Sequence, residues 1–272
     1  MKRFAPTLAM MLASLNAQAA PTVAVPQWER HFAFQGVSGT FVLDEPGANR
    51  LRAYDEARAS ERFLPASTFK IANALIGLET GAVVDEHEVF RWDGKPKRFD
   101  AWERDHTLAS AMADSAVWVF QAIARRVGKP AMGEWLDRLD YGNRDMTGGV
   151  DQFWLQGGLR ISAQEQVAFL RRLVEGRLPV TARSRRIVRG ILAAERCGDA
   201  VIRGKTGTAM SGKEGIAWWV GWVERGGEPV AYFALNYRTF EETPRRARFG
   251  IGHAILEEAG VIPKAREVCK AA

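Results

Sequence analysis

The sequence predicts an α+β protein in which an antiparallel sheet is made from both ends of the chain, with a helical region inserted between its halves. Three observations carry this. Runs rich in β-branched and aromatic residues, bounded by turn residues, occur at Gly39–Leu43 and Leu51–Tyr54 and return only after Cys197. Between them, helical patterning lasts for about ninety residues. Two late runs, Ile216–Val223 and Pro229–Asn236, are joined by Glu224-Arg225-Gly226-Gly227-Glu228, which reads as a hairpin.

Taken in order, Met1–Ala19 has the form of a secretory signal. Lys2 and Arg3 precede the apolar stretch Ala5–Leu15, and Ala17-Gln18-Ala19 offers a cleavage site. No later stretch approaches about 20 uninterrupted apolar residues, so the mature chain is expected to be exported to the periplasm without a membrane anchor. Gln27–Gln35 reads as an amphipathic helix stopped at Gly36. The first two strands are joined through Pro46-Gly47-Ala48-Asn49. A buried helix follows from Ser67, ending at Gly81. The helical stretch then comprises Leu108–Asp114, Val117–Val127 before Gly128, and Ala131–Leu139 with Pro130 at its first turn, stopping at Tyr141-Gly142-Asn143. Gly148–Gly158 is a glycine-flanked loop with an apolar centre. Ser162-Ala163-Gln164-Glu165 is a capping box that opens another helix, and one more runs over Ala182–Ala194. Ala200–Thr208 is a strand. The last helix takes Thr243 as N-cap and Pro244 at its first position, with Gly260 and Pro263 beyond its end. This divides the chain into a signal (1–19), a sheet-containing region (20–66 and 196–272) and a helical region (67–195).

Composition excludes several classes. Losing Lys2 and Arg3, with no acid in residues 1–19, takes the net charge from +6 to +4. With 47% hydrophobic and 26% charged residues, that mild basicity points to no particular partner. The arginine pairs are scattered rather than clustered with aromatics, so no nucleic-acid surface is expected. Four isolated histidines show no ligand spacing, and no metal site is predicted. Cys197 and Cys269 are the two cysteines, and sequence leaves their pairing open.

The chemistry centres on Ser67-Thr68-Phe69-Lys70. Residues three apart share a helical face, about 4.5 Å apart along the axis, so Lys70 lies one turn behind Ser67. A hydroxyl is a weak nucleophile until a base takes its proton. Desolvation against Phe69 and a buried helix would favour the neutral amine that can serve. Gly204-Lys205-Thr206 ends like a phosphate-binding loop, but Asp199 stands where that motif needs glycine and no helix follows. Lys205-Thr206-Gly207 fits better as one wall of an acyl-transfer site, where an extended substrate adds to an edge strand. Lys205 and the hydroxyls of Thr206 and Thr208 would attract a carboxylate. The backbone N–H groups of Ser67 and Thr208 would face an oxyanion.

Ser67-Thr68-Phe69-Lys70, Ser115-Ala116-Val117, Tyr141-Gly142-Asn143, Phe153-Trp154-Leu155 and Lys205-Thr206-Gly207, in this order, resemble the class D (oxacillinase-type) serine β-lactamases over essentially the whole mature chain. The resemblance implies the penicillin-recognising fold, a five-stranded antiparallel sheet flanked by terminal helices beside a helical region, forming one transpeptidase-like catalytic domain. It implies hydrolysis of small-molecule β-lactams, with Ser67 carrying the acyl group and Ser115 relaying a proton to the lactam nitrogen. Lys70 would be N-carboxylated by CO2 and act as base in acylation and deacylation, with no other cofactor. The Trp154 indole would bond the carbamate, and Arg248 would bind the substrate carboxylate. The chemistry of the residues agrees: only a neutral amine adds to CO2, so the apolar Phe69, Val117, Trp154 and Leu155 suit the modification. Tyr141-Gly142-Asn143 reads as a structural turn. A β-lactam-response sensor would need transmembrane helices, and a D,D-peptidase is disfavoured by Val117 and Phe153-Trp154-Leu155. Monomer and homodimer both stay open, as does the substrate spectrum.

Overall fold

The structure, a computed structural model, describes residues 21–48, 50–264 and 269–271. The predicted signal segment lies outside the described residues. The chain opens with β1 (Thr22–Ala24), a helical turn and α1 (Glu29–Phe34), then β2 (Gly39–Glu45), β3 (Arg50–Tyr54) and α2 (Glu56–Ser60). A 3-10 turn, Ala66–Phe69, leads into α3 (Lys70–Glu79). A small ladder, β4 (Val89–Phe90) with β5 (His106–Thr107), brackets the Trp-containing loop between them. The helical region continues with α4 (Leu108–Ala113), α5 (Val117–Val127), α6 (Lys129–Leu139), α7 (Ala163–Val174) and α8 (Ala182–Ile191). The chain then returns to the sheet in β6 (Ala193–Cys197), β7 (Ala200–Ser211), β8 (Glu214–Arg225) and β9 (Glu228–Phe240), followed by α9 (Ala247–Glu258) and β10 (Cys269–Ala271).

The sheet has eight strands in the order β1-β3-β2-β9-β8-β7-β6-β10, not the five expected. It is mixed rather than wholly antiparallel, because β1 runs parallel to β3. The five strands read from sequence are all present. The three additions are short pieces at the margins of the sheet, β1 at one end and β6 with β10 at the other, and backbone pairing to neighbouring strands places them. Two other expectations change. The α8 helix stops at Ile191, and Ala193 and Ala194, expected as its end, open β6, which pairs with Ala200–Gly204. The last helix starts at Ala247 rather than Pro244: Thr243 Oγ1 accepts from Phe240 N at 3.0 Å, closing a turn before the helix begins. By contrast, the Ser162–Glu165 capping box forms in both directions. Gly226 and Gly227, with φ of +61° and +87°, make the tight β8–β9 turn that a side chain would oppose.

Alternation along the central strands splits the core in two. Trp218, Val220 and Trp222 of β8 join α3, α5 and α7 in a core on the helical side. Ala217, Trp219 and Val223 join α1 and α9 on the other. The catalytic candidates sit where the helical core meets the free edge of β7. Among the described residues, β6 covers β7 only as far as Gly204, so Lys205–Ser211 has no strand on that side.

Candidate active site

Ser67 does not cap α3. It sits inside the 3-10 turn that precedes it, on a segment held from three directions. Phe63 and Ile161 exchange backbone hydrogen bonds, both at 2.9 Å, and Ala66 N donates to Trp154 O at 3.1 Å. The Trp218 indole donates to Leu64 O at 2.8 Å. Ala66 has φ +49°, a left-handed conformation that costs a non-glycine residue about 1–2 kcal/mol. Such strain is kept only where the surroundings over-determine it. Buried hydrogen bonds add to the clamp: Gln166 Nε2 donates to Thr68 Oγ1 (2.8 Å), which donates to Pro65 O (2.7 Å).

Lys70 is fully buried, with its Nζ 2.6 Å from Ser67 Oγ. Burial first, then the charge of Lys205, pushes its pKa well below the ordinary lysine value. The surroundings are apolar and aromatic. Phe120 lies with its ring centroid 5.4 Å from Nζ, and Phe69 packs 5.2 Å from Trp154. The Trp154 indole Nε1 is buried without a hydrogen-bond partner. An orphaned donor in such a place is uncommon and marks a position for an acceptor. Tyr141 packs edge-on against Phe69 at 5.5 Å and Phe169 at 5.0 Å, consistent with a structural turn.

Ser115 faces Lys205 across the cleft, accepting from its Nζ at 3.0 Å. It too is left-handed, φ +57°, at the joint between α4 and α5. Burial and then the Arg248 charge push the Lys205 pKa down to about 8. Gly207 brings β7 against the nucleophile turn: a Cβ there would stand 2.9 Å from Pro65 O and 3.2 Å from Ser67 N. Lys205 and Gly207 lie on the face of β7 towards Ser67. Thr206 and Thr208 alternate onto the face towards α9.

Arg248 reaches that second face from α9. Its Nη1 donates to Gly207 O and Trp218 O, both at 3.0 Å, its Nη2 to Thr208 Oγ1 at 2.9 Å, and its Nε to Arg245 O at 3.0 Å. These bonds engage four of the five N–H groups of the guanidinium, and the buried Tyr237 hydroxyl lies beside it as well. The residue therefore pins the catalytic edge as well as presenting charge to it.

The structure thus links Ser67 to Lys70, Ser115 to Lys205, Gly207 to the Ser67 turn and Arg248 to Gly207 and Thr208, with Trp154 packed on Phe69, Thr206 on the α9 face of β7 and Val117 at the start of α5. Sequence reasoning missed Phe120, although it lies three residues after Val117 on the same helix face and the spacing could have found it. It also missed Gln166, whose partner Thr68 is distant in sequence. Cys197 and Cys269, left open, form a disulfide that ties β10 to β6.

Comparison with known proteins places the chain in a family. The profile of the penicillin binding protein transpeptidase domain matches residues 37–257. Beta-lactamase OXA-10 of Pseudomonas aeruginosa is 43% identical over 96% of this chain and 99% of its own. Beta-lactamase OXA-48 of Klebsiella pneumoniae is 43% identical over 87% and 89%. Among solved structures, FUS-1 (OXA-85), a class D beta-lactamase from Fusobacterium nucleatum subsp. polymorphum, superposes with a TM-score of 0.84 at 35% identity. That match covers 88% of this chain and 100% of that one. With the fold, the ordered motifs and near-full-length relatives in agreement, the chain belongs to the class D β-lactamases.

Proposed function

We propose that the protein hydrolyses the β-lactam ring of penicillin-type antibiotics through an acyl-enzyme on Ser67, with Lys70, carboxylated on Nζ by CO2, as general base. The observation that carries this reading is a fully buried lysine 2.6 Å from the serine, together with a partnerless buried indole donor on Trp154, which packs against the neighbouring Phe69. The chain's own residues fit the modification. Burial, then the charge of Lys205, favours the neutral form of Lys70 that can add to CO2, in apolar surroundings that include Phe69 and Phe120. The Trp154 N–H would hold the carbamate, which supplies an anionic base that a lysine cannot.

Ser67 Oγ attacks the lactam carbonyl as its proton passes towards Lys70. The N–H groups of Ser67 and Thr208 receive the oxyanion. Ser115, linked to Lys205, delivers a proton to the departing lactam nitrogen, which becomes an amine as the C–N bond breaks. Water, deprotonated at the same base, then releases the acyl group. Lys205 and Arg248 supply positive charge for the substrate carboxylate, with Thr206 and Thr208 on the same edge. With the predicted signal removed, the enzyme would act in the periplasm and confer β-lactam resistance. Among the described residues, no helix is long and apolar enough to cross a membrane.

The test is turnover of a chromogenic cephalosporin, with mass spectrometry on a slow substrate. Many equivalents should be hydrolysed and the transient adduct should map to the Ser67 peptide. Ser67→Ala should fold and show neither burst nor turnover. A single equivalent consumed, or an adduct elsewhere, would overturn the reading.

A further inference from the structure

The two walls of the catalytic cleft meet again at its mouth. On the Ser115 side, the Trp102 indole donates to Asp114 O at 2.9 Å, and the Trp118 indole donates to Trp102 O at 3.0 Å. Phe99 stands edge-on to Trp102 at 4.8 Å. On the opposite wall, Arg245 is tied through its carbonyl to Arg248, whose guanidinium holds Thr208. The Arg245 guanidinium lies over the Phe99 ring, 5.0 Å from its centroid, and so joins the walls. Arg98 reaches the same ring from the side of the loop, at 5.4 Å.

Two like charges on one half-buried ring repel each other, and each gains only a modest cation–π attraction in return. Both arginines are exposed. Neither is in ion-pair range of a carboxylate among the described residues, although Asp100, Glu241 and Glu242 are exposed nearby in sequence. Elsewhere the surface arginines are mostly paired, as Arg91 is with Asp105 and Arg104 with Asp114. Two unpaired guanidiniums gathered at one ring concentrate positive charge that an anion would offset through charge-assisted hydrogen bonds.

We propose that Arg98 and Arg245, held on Phe99, form a second anion subsite at the cleft mouth. The enzyme then selects β-lactams that carry a second negative charge, beside an aryl group, beyond the carboxylate facing Lys205 and Arg248. This rests on the reading of the site as a β-lactamase and names the substrates that reading leaves open. A molecule with one carboxylate fills only the inner position. A dianionic one engages both and gains a factor of about two to five from each exposed charge pair.

The experiment compares benzylpenicillin with its α-carboxy derivative, which has the same phenyl group and one further carboxylate. The measured quantity is the ratio of their kcat/KM values. In the Arg98→Gln/Arg245→Gln double variant, which loses both pairs, the ratio should fall about four- to twenty-five-fold in favour of benzylpenicillin. In the wild type it should fall in the same direction when ionic strength is raised from about 0.02 to 0.5 M, since exposed charges are screened. The salt series needs no variant. Arg246→Gln removes an equal charge from a residue lining a separate groove and should leave the ratio in place. A ratio unchanged in the double variant, unmoved by salt, or shifted equally by Arg246→Gln overturns the inference. Absence of benzylpenicillin turnover by the wild type is the different result that defeats the β-lactamase reading itself, and this inference with it.

Discussion

Replacing Gly207 with alanine adds one methyl group where the structure has no room for it. The new Cβ would lie 2.9 Å from Pro65 O and 3.2 Å from both Ser67 N and Thr68 Cγ2. Comfortable contacts to carbon are about 3.5–4.0 Å, so the gap must open by about half an ångström. The nucleophile turn is poorly placed to yield, being clamped through Leu64 O, Ala66 N and the Phe63–Ile161 pair. Gly207 does not use a positive φ, so alanine adds no conformational strain of its own. The edge of β7 is therefore expected to move outward, carrying Thr208 N and Lys205 away from Ser67. A misplacement of 1 Å costs about 100-fold in rate, so half of that predicts about a tenfold slower acylation. Stability should fall by about 1–3 kcal/mol, the usual cost of overpacking. Stopped-flow acylation with a chromogenic cephalosporin measures the first figure, and urea denaturation measures the second. A folded Gly207→Ala enzyme that acylates at the wild-type rate would refute the reasoning.

Three further outcomes follow from the same geometry. Arg248→Ala should raise KM for penicillins, since a carboxylate clamp acts in ground and transition states alike. It should also lower stability by about 1–3 kcal/mol, because the buried Gly207 and Trp218 carbonyls lose a donor. An unchanged KM would give the carboxylate to Lys205 or Arg245 instead. Cys269→Ser opens a crosslink spanning 72 residues and should cost up to about 4 kcal/mol by chain entropy, read as a lower denaturation midpoint. An unmoved midpoint would show that β10 contributes nothing to the folded state. Lys205, pushed down to about 8, should lose its charge above that pH, so KM for anionic substrates should rise between about pH 8 and 9 and stay flat below. For stability the sign is opposite to that of a lysine gaining a partner. Its burial cost is present below pH 8 and is relieved as pH rises towards the unfolded value near 10.5. The stability difference between wild type and Lys205→Met should therefore shift in favour of the wild type between pH 7 and 9.5. A flat KM profile through pH 8 to 9 would contradict the shift.

The parts of this fold that announce themselves in sequence are those with a local signal. The five long strands alternate or run apolar, and the Ser162 capping box and the Gly226-Gly227 turn specify their own geometry. The three extra strands do not. Thr22–Ala24, Ala193–Cys197 and Cys269–Ala271 are short pieces at the sheet's margins whose conformation comes from the strands they pair with, through backbone groups common to every residue. Ala193 and Ala194 even continue the helical pattern of α8, yet they pair with β7. In the candidate site, the three-residue spacing of Ser67 and Lys70 was legible as one helical turn, whereas Lys205, far off in sequence, was read from its own Lys205-Thr206-Gly207 motif. Gly207 was legible as a glycine needed for close approach, but the partner proved to be the Pro65–Ser67 backbone. Arg248 was carried by resemblance, and its bonds to the paired carbonyls of Gly207 and Trp218 are a tertiary fact. Gln166 carried no signal, since its partner Thr68 lies in a different part of the chain.

The central claim is that Lys70 works as a carbamate held by Trp154. Carbamates decompose when their nitrogen is protonated, so enzyme degassed at mildly acidic pH should lose deacylation slowly and regain it on adding bicarbonate. Enzyme equilibrated with 13C-labelled bicarbonate should show one protein-bound carbamate carbon by NMR, absent from Lys70→Ala. Trp154→Ala should trap the acyl-enzyme and need more bicarbonate than the wild type to recover. Full deacylation by the degassed enzyme, with bicarbonate making no difference and no labelled carbon on the protein, would contradict the account.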